Sequence, residues 1–356
     1  MKILRVQAGS QDYDVVVGPL ADCRSRLSEL AHGAALTVVT EPHVWSLHGP
    51  KLEALVACDP IFVPRGEAAK DWPHLQALIA AFAERNLGRN SPVLAFGGGA
   101  VGDLTGLAAG LFKRGLPIVH VPTTLLAQAD SAVGGKTAID ALGQKNLVGL
   151  FHQPGLVLAD VALLDTLDPR ELRAGYAEIV KYGLIGHEAM FDWLEEQGGK
   201  LLAGDRELRE EAVFQSVGAK ARAVEADVTD RSGVRALLNF GHTFGHAIES
   251  AAGLGNILHG EAVALGMTLA FGLSARLGLC PAADAERVRA HLAAAGLPTT
   301  LAESKVDRAA LLPLMRTDKK NDAGALRLVL VRGIGRAFLS DGVAEDKVAS
   351  FIADAP

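Results

Sequence analysis

Short apolar runs separated by stretches of helical spacing fill the first half of the chain. Val15–Val17, Leu36–Thr40, Ile61–Val63, Val93–Phe96, Ile118–Val121 and Leu156–Ala159 read as strands. Between Trp72 and Asn86, the residues Leu75, Leu78, Ile79 and Phe82 share one face of a helix. Strand–helix–strand alternation predicts a mainly parallel sheet with helices on both sides. The character changes near Asp168-Pro169-Arg170. Ala/Leu/Glu/Arg-rich stretches beyond it predict helices over about 169–185, 189–202, 207–224, 241–252, 260–277 and 282–295, with Gly253, Gly255 and Gly278 as stops. Leu326–Val331 and Arg336–Leu339, parted by Gly333-Ile334-Gly335, read as a hairpin. The fold class expected is α/β followed by mainly α, with domains over 1–166 and 167–356. No repeat or low-complexity segment interrupts them.

Composition narrows the function. A chain of 356 residues suits two domains, and 49% hydrophobic with 21% charged residues is ordinary for a globular enzyme. Aromatics are only 5% while Gly numbers 39, so small residues do much of the packing. The net charge of -6 excludes a global basic field, hence a nucleic-acid partner; an anionic ligand needs a local Lys/Arg cluster. Cys23, Cys58 and Cys280 are odd in number, far apart and without a Cys-x-x-Cys pair. Neither a disulfide framework nor a thiolate zinc site follows, and a reducing compartment fits. Met1–Gln7 lacks the apolar core of a signal peptide, and no apolar run is long enough to span a bilayer. Cytoplasmic residence and no membrane partner are expected.

Four segments carry candidate chemistry. Phe96-Gly97-Gly98-Gly99-Ala100-Val101-Gly102-Asp103 follows a strand and opens a helix, so its backbone N–H groups suit a pyrophosphate. It is not the G-x-G-x-x-G fingerprint, and a tight turn without ligand is the competing reading. Val121-Pro122-Thr123-Thr124-Leu125-Leu126 is a second strand-to-helix passage, suited to a nucleotide or to a simple N-cap. Asp130–Thr137 contains Gly134-Gly135-Lys136-Thr137, but Asp130 stands where a P-loop requires its first glycine. Lys136, Lys145 and Asn146 still fall together in what reads as a polar, glycine-bearing loop, with Arg114 upstream. They form either an anion site or a solvated basic loop. Finally, His242 and His246 are four apart, His259 starts a helix, and Glu178 lies in an otherwise apolar helix. Two histidines and a carboxylate leave an open position on a zinc-like ion, as catalysis requires. The alternative is a buried polar group satisfied internally. No Glu follows the first His, so this is not the H-E-x-x-H of a zinc protease.

Taken in order, these motifs resemble the 3-dehydroquinate synthase family of sugar-phosphate cyclases over essentially the whole chain. They are Gly97–Asp103, Pro122–Gln128, Asp130–Thr137, Lys145–Gly149, Arg170–Lys181, Leu238–Glu249, His259–Val263 and Asp318–Asn321. The resemblance implies a Rossmann-like NAD-binding N-terminal domain and a helical metal- and substrate-binding C-terminal domain, with the active site in the cleft between them. It implies a homodimer, a tightly held NAD and a catalytic divalent metal, zinc or sometimes cobalt. Metal ligands carried over by motif are Glu178, His242 and His259. Cofactor-binding residues are Glu67, Lys70, Gly98, Gly99, Asp103, Thr123, Thr124, Asp130, Lys136, Lys145 and Thr166. Substrate-binding residues are Arg114, Lys136, Asn146, Lys181, Lys220, Arg235, Asn239, His246 and a lysine of Lys319-Lys320. Of these, Lys136, Asn146, Lys181, Arg235 and His246 carry the catalytic assignment.

The implied reaction turns a phosphorylated sugar acid, 3-deoxy-D-arabino-heptulosonate 7-phosphate, into 3-dehydroquinate and phosphate. It is a carbon–oxygen lyase reaction and the second step of the shikimate pathway, towards chorismate and the aromatic amino acids. A hydride passes from substrate to NAD, the resulting ketone acidifies the neighbouring C–H, phosphate leaves, the hydride returns, and an internal aldol closes the ring. His246 is the candidate for proton transfer or phosphate contact, with the substrate's own phosphate as the competing base. Two positions depart from the family pattern: Arg231 stands where an acidic residue is expected, with Asp230 beside it, and Asp140 stands for Asn. Competing readings are a related sugar-phosphate cyclase, a metal-dependent polyol dehydrogenase that would release NADH, and a catalytically silent scaffold. The Ser131–Thr137 motif, the many cationic residues and the retained ligand set argue against them in turn.

Overall fold

The computed structural model describes every residue except 10, 231–232, 254, 317–324 and 341. It divides into two compact units, Met1–Asp168 with Arg206–Thr229, and Pro169–Asp205 with Asp230–Pro356.

The strands of the first unit are β1 (Lys2–Val6), β2 (Tyr13–Val17), β3 (Leu36–Thr40), β4 (Cys58–Phe62), β5 (Val93–Gly97), β6 (Ile118–Pro122), β7 (Lys136–Ala141), β8 (Gln144–Phe151) and β9 (Leu156–Ala159). Seven of them form one sheet in the order β1-β2-β9-β6-β5-β3-β4. Only the β1–β2 pairing in it is antiparallel. Alternate residues enter two separate cores. Val38, Leu94, Phe96, Val119 and Val121 pack with Leu27 of α1 (Arg24–Ala31) and Leu52 of α2 (Pro42–Glu53). Val39, Val93, Ala95 and Ile118 pack with Leu75, Leu78 and Phe82 of α3 (Trp72–Glu84) and Leu104 of α4 (Gly99–Leu111). Burial on both faces is why these strands read as unbroken apolar runs. Each fully buried Val, Leu or Phe contributes about 1.5–3 kcal/mol.

Two elements of this unit escape the pattern. β1 is an edge strand with only Val6 buried, so it has no apolar run. The segment expected as a polar loop around Lys136, Lys145 and Asn146 is instead the antiparallel hairpin β7–β8. Thr137 and Ile139 are its buried positions, 3% and 0% exposed, and the strand packs against α4. Leu142 (φ 52) and Gly143 (φ 73) form its two-residue turn. A left-handed leucine, 91% exposed, is a poor turn signal, which is why the hairpin reads as a loop.

The second unit contains α5 (Pro169–Gly186) and α6 (Glu188–Ala203). The next helix, α7 (Arg206–Ala226), returns to the first unit and packs on β1 and β2. A single division at 166/167 assigns it to the helical part. What holds it to the sheet is its apolar face of Ala212, Val213, Val217 and Val224 together with Lys220. The second unit continues with α8 (His242–Ala252), α9 (His259–Arg276) and α10 (Ala282–Ala294). Gly253 (φ 82) caps α8, and Gly278 (φ 72) follows α9. The expected hairpin is present as strands Val329–Val331 and Ala337–Leu339, paired antiparallel. Among the described residues, no helix is long and apolar enough to cross a membrane.

Candidate metal centre and dinucleotide turn

Glu178 and Lys181 lie on α5 in a stretch that is buried without a break from Ala174 to Leu184. A carboxylate and an ammonium in such a place need each other. Lys181 Nζ stands 2.5 Å from Glu178 Oε2. Along α8, His242, His246 and Glu249 fall at i, i+4 and i+7 on one face. Two glycines bring the three helices together. A Cβ on Gly260 would stand 1.8 Å from the Ala174 carbonyl of α5, and one on Gly241 (φ 78) would stand 2.9 Å from the Val263 carbonyl of α9. With no side chain at either place, His242 Nε2 and His259 Nε2 come within 3.6 and 3.4 Å of Glu178 Oε1.

These three residues offer ligand atoms that lie within 4.8 Å of one another. A tetrahedral ion with bonds of about 2.0–2.1 Å holds its ligands about 3.3–3.5 Å apart. Oε1 of Glu178 is buried and has no hydrogen-bond partner, an orphaned acceptor facing two imidazole nitrogens. The other ring nitrogens are engaged: His242 Nδ1 donates to the Phe240 carbonyl at 3.1 Å, and His259 Nδ1 donates to Glu249 Oε2 at 3.1 Å. Those bonds turn both Nε2 atoms towards Glu178, as metal-ligating histidines require. A divalent ion that prefers nitrogen and oxygen donors fits the set.

The charges are distributed unevenly. Burial pushes His242 down to about 3. Burial also opposes a charged His259, but Glu178 and Glu249 outweigh it and raise that imidazole to about 10. Burial would raise Glu178, yet Lys181 and the two imidazoles hold it well below the usual carboxylate range. The Glu178 carboxylate is thereby held in its charged form beside the two imidazoles.

Glu249 joins this set through His259. Its sequence signal is an acid seven residues after His242 on the buried face of α8, where it is only 7% exposed. Around this set, His246 is exposed, its ring stacked 6.0 Å from that of His259. Arg235 is buried and Asn239 half-buried on the 3-10 turn Val234–Asn239, which packs against α5. Asp230 is half-buried with a left-handed φ of 54°, a conformation Asp tolerates. Arg231, Lys319 and Lys320 lie outside the described residues.

In the first unit, β5 ends at Gly97 and Gly98 is the N-cap of α4, with no side chain to cap it. The first N–H groups of that helix therefore keep the free donors that an anion takes. Gly98, Gly99, Asp103 and Lys136 line one small cleft with His120. Thr123 N–H donates to the Gly97 carbonyl, tying the second strand-to-helix passage to the first. Thr124 Oγ1 accepts from Ala127 N–H at 3.2 Å, so the simple N-cap is realised there. It opens a short helix with a π turn at Ala127–Ser131. Lys70 Nζ donates to Asp103 Oδ2 at 2.8 Å and to Asn146 Oδ1 at 2.5 Å, with Glu67 at 3.5 Å. Burial opposes its charge, but Asp103 and Glu67 raise its pKa. Asp140, where Asn was expected, accepts from Asn146 N–H at 2.8 Å and holds that residue at φ 52.

The remaining assigned residues sit as follows. Lys220 of α7 reaches Asp130, at 2.8 Å from Oδ1 and 2.7 Å from its carbonyl. Thr166 Oγ1 is 2.8 Å from His48 Nε2. Lys145 is exposed on β8, and Arg114 is exposed at the end of the turn after α4. No contact among the described residues brings Arg114 to the others. Two further polar residues are buried in this unit. Glu41, just after β3, accepts from Gly66 N–H at 3.0 Å. His120 interrupts an apolar strand; burial pushes it down to about 4.

Solved structures that share this fold include synthases with NAD+ and a divalent metal bound. Among solved structures, the chain is similar to 2-epi-5-epi-valiolone synthase from Streptomyces hygroscopicus subsp. jinggangensis 5008, solved with NAD+ and Zn2+ (TM-score 0.89, 31% identity, 98% of each chain). It is also similar to 2-deoxy-scyllo-inosose synthase complexed with carbaglucose-6-phosphate, NAD+ and Co2+ (TM-score 0.88, 25% identity, 100% of each chain). The 3-dehydroquinate synthase N-terminal family model matches residues 60–174, and the C-terminal one matches 175–321. A 3-dehydroquinate synthase from Jannaschia sp. (strain CCS1) is 48% identical over 99% of this chain and 98% of its own length. The chain belongs to the 3-dehydroquinate synthase family.

Proposed function

We propose that the chain converts 3-deoxy-D-arabino-heptulosonate 7-phosphate to 3-dehydroquinate and phosphate, with NAD and a divalent metal, zinc or cobalt, as resident cofactors. The observation that carries this reading is the Glu178–His242–His259 set with Lys181 beside it, in a chain matched along its length by 3-dehydroquinate synthases. A metal ion held there supplies Lewis acidity that lowers the cost of ionising a substrate hydroxyl. NAD supplies a reversible hydride acceptor, so the reaction has no net redox change.

The chain's own residues do the rest. Gly98, Gly99, Asp103, Thr123, Thr124, Asp130, Lys136, Lys145 and Thr166 bind the dinucleotide, with Glu67 and Lys70 on its adenosine side. Free N–H groups at the start of α4 favour its pyrophosphate. Lys181, its charge secured by Glu178, offsets negative charge developing on the substrate oxygen. Arg114, Lys136, Asn146, Lys220, Arg235, Asn239, His246 and a lysine of Lys319-Lys320 take the carboxylate and phosphate, anions that cationic and amide donors suit. His246, an exposed imidazole, moves the proton made acidic by the transient ketone, with the departing phosphate as the competing base. A homodimer and cytoplasmic residence belong to the same reading.

The test is substrate choice. Purified protein with NAD and zinc is given the heptulosonate phosphate and, separately, glucose 6-phosphate, and products are identified by mass spectrometry. 3-Dehydroquinate from the first and nothing from the second is expected. A cyclitol from the sugar phosphate lacking a carboxylate would assign the chain to another cyclase activity.

A further inference from the structure

We propose that His246, Glu249 and His259 form a second, weaker divalent-metal site, whose filling withdraws the acceptor that orients His259. The three residues offer ligand atoms within 4.8 Å of one another. His246 and Glu249 are three apart on α8, the spacing at which helical His and Glu side chains ligate one ion. His259 closes the set from α9: its Nδ1 lies 3.1 Å from Glu249 Oε2, and its ring stacks on that of His246. Two imidazoles and a carboxylate are the same donor chemistry as the primary set. The difference is access, for His246 is exposed while Glu178 is 1% exposed. An ion arriving from solvent reaches His246 first.

The inference rests on the Glu178 set being the primary site. His259 is common to both, so a second ion must take its Nδ1. The N–H bond breaks, the proton leaves to solvent, and the electron pair it held forms the new bond to metal. The imidazole then bridges two ions, and Glu249 becomes a ligand instead of a hydrogen-bond acceptor. Repulsion between the ions makes the second site the weaker. It fills only when metal is in excess, and filling it also takes His246 out of the reaction. Excess zinc should therefore inhibit.

The experiment starts from protein holding one equivalent of metal and titrates it with cobalt(II) and with zinc chloride, following metal content, proton release and the cobalt absorption spectrum. The wild type should take up a second equivalent more weakly than the first, releasing a proton and perturbing the first ion's spectrum as it binds. In His246→Asn the second event should disappear while the first equivalent stays. Uptake of one equivalent only, or a second event unchanged in His246→Asn, would overturn the proposal. The primary assignment is read separately: Glu178→Ala should lose the first equivalent, and its retention there would overturn that assignment.

Discussion

Glu249 supports His259 from outside the candidate Glu178–His242–His259 set. By accepting from His259 Nδ1 it fixes the ring's orientation and increases the electron density at Nε2. Glu249→Gln keeps an acceptor but removes the charge. We expect a loss of about 10–100-fold in metal affinity with little change in melting temperature, read by competition with a chromophoric chelator. Unchanged affinity would make the contact incidental. His120 makes a different residue-scale claim. Its folded pKa of about 4 lies below the ordinary 6.5. It therefore contributes stability that is present above about pH 6.5 and is lost as pH falls towards 4. By pH 5 that loss is about 2 kcal/mol. Urea unfolding at pH 7.5 and 5 should show a shallower acid loss in His120→Gln than in the wild type. Equal slopes would mean the imidazole is not held neutral.

At the scale of elements, the site depends on how closely helices approach. Gly260 lets α9 rest on the Ala174 carbonyl of α5, and that contact sets His259 against Glu178. Gly260→Ala should cost about 1–3 kcal/mol and lower metal affinity at least roughly tenfold, measured by thermal unfolding and metal content together. A wild-type metal content would show that the approach is not required. This dependence also marks what the sequence could reveal. The sheet strands and α8 and α9 were legible because burial writes itself as apolar runs and helical spacing. Glu178, His242 and His259 were legible as residue types in suitable elements, but their convergence rests on glycines whose role appears only when the helices are packed. β7–β8 stayed hidden because its turn uses Leu142 where Asn is favoured. β1 stayed hidden because an edge strand needs no apolar run.

At the scale of the whole molecule, the chain crosses from sheet unit to helical unit, returns for α7, and crosses again. The return delivers Lys220 to Asp130, linking a residue assigned to substrate with one assigned to cofactor inside the first unit. The candidate metal ligands Glu178, His242 and His259 all belong to the second. We propose that both residue sets serve one redox-neutral elimination. Its most direct test is phosphate release from 3-deoxy-D-arabino-heptulosonate 7-phosphate with catalytic NAD, before and after metal removal, while absorbance at the NADH band is followed. Expected are many phosphates released per NAD, arrest by chelation, recovery with zinc or cobalt, and no accumulating NADH. Phosphate release that survives complete metal removal, or NADH rising in step with turnover, would contradict it.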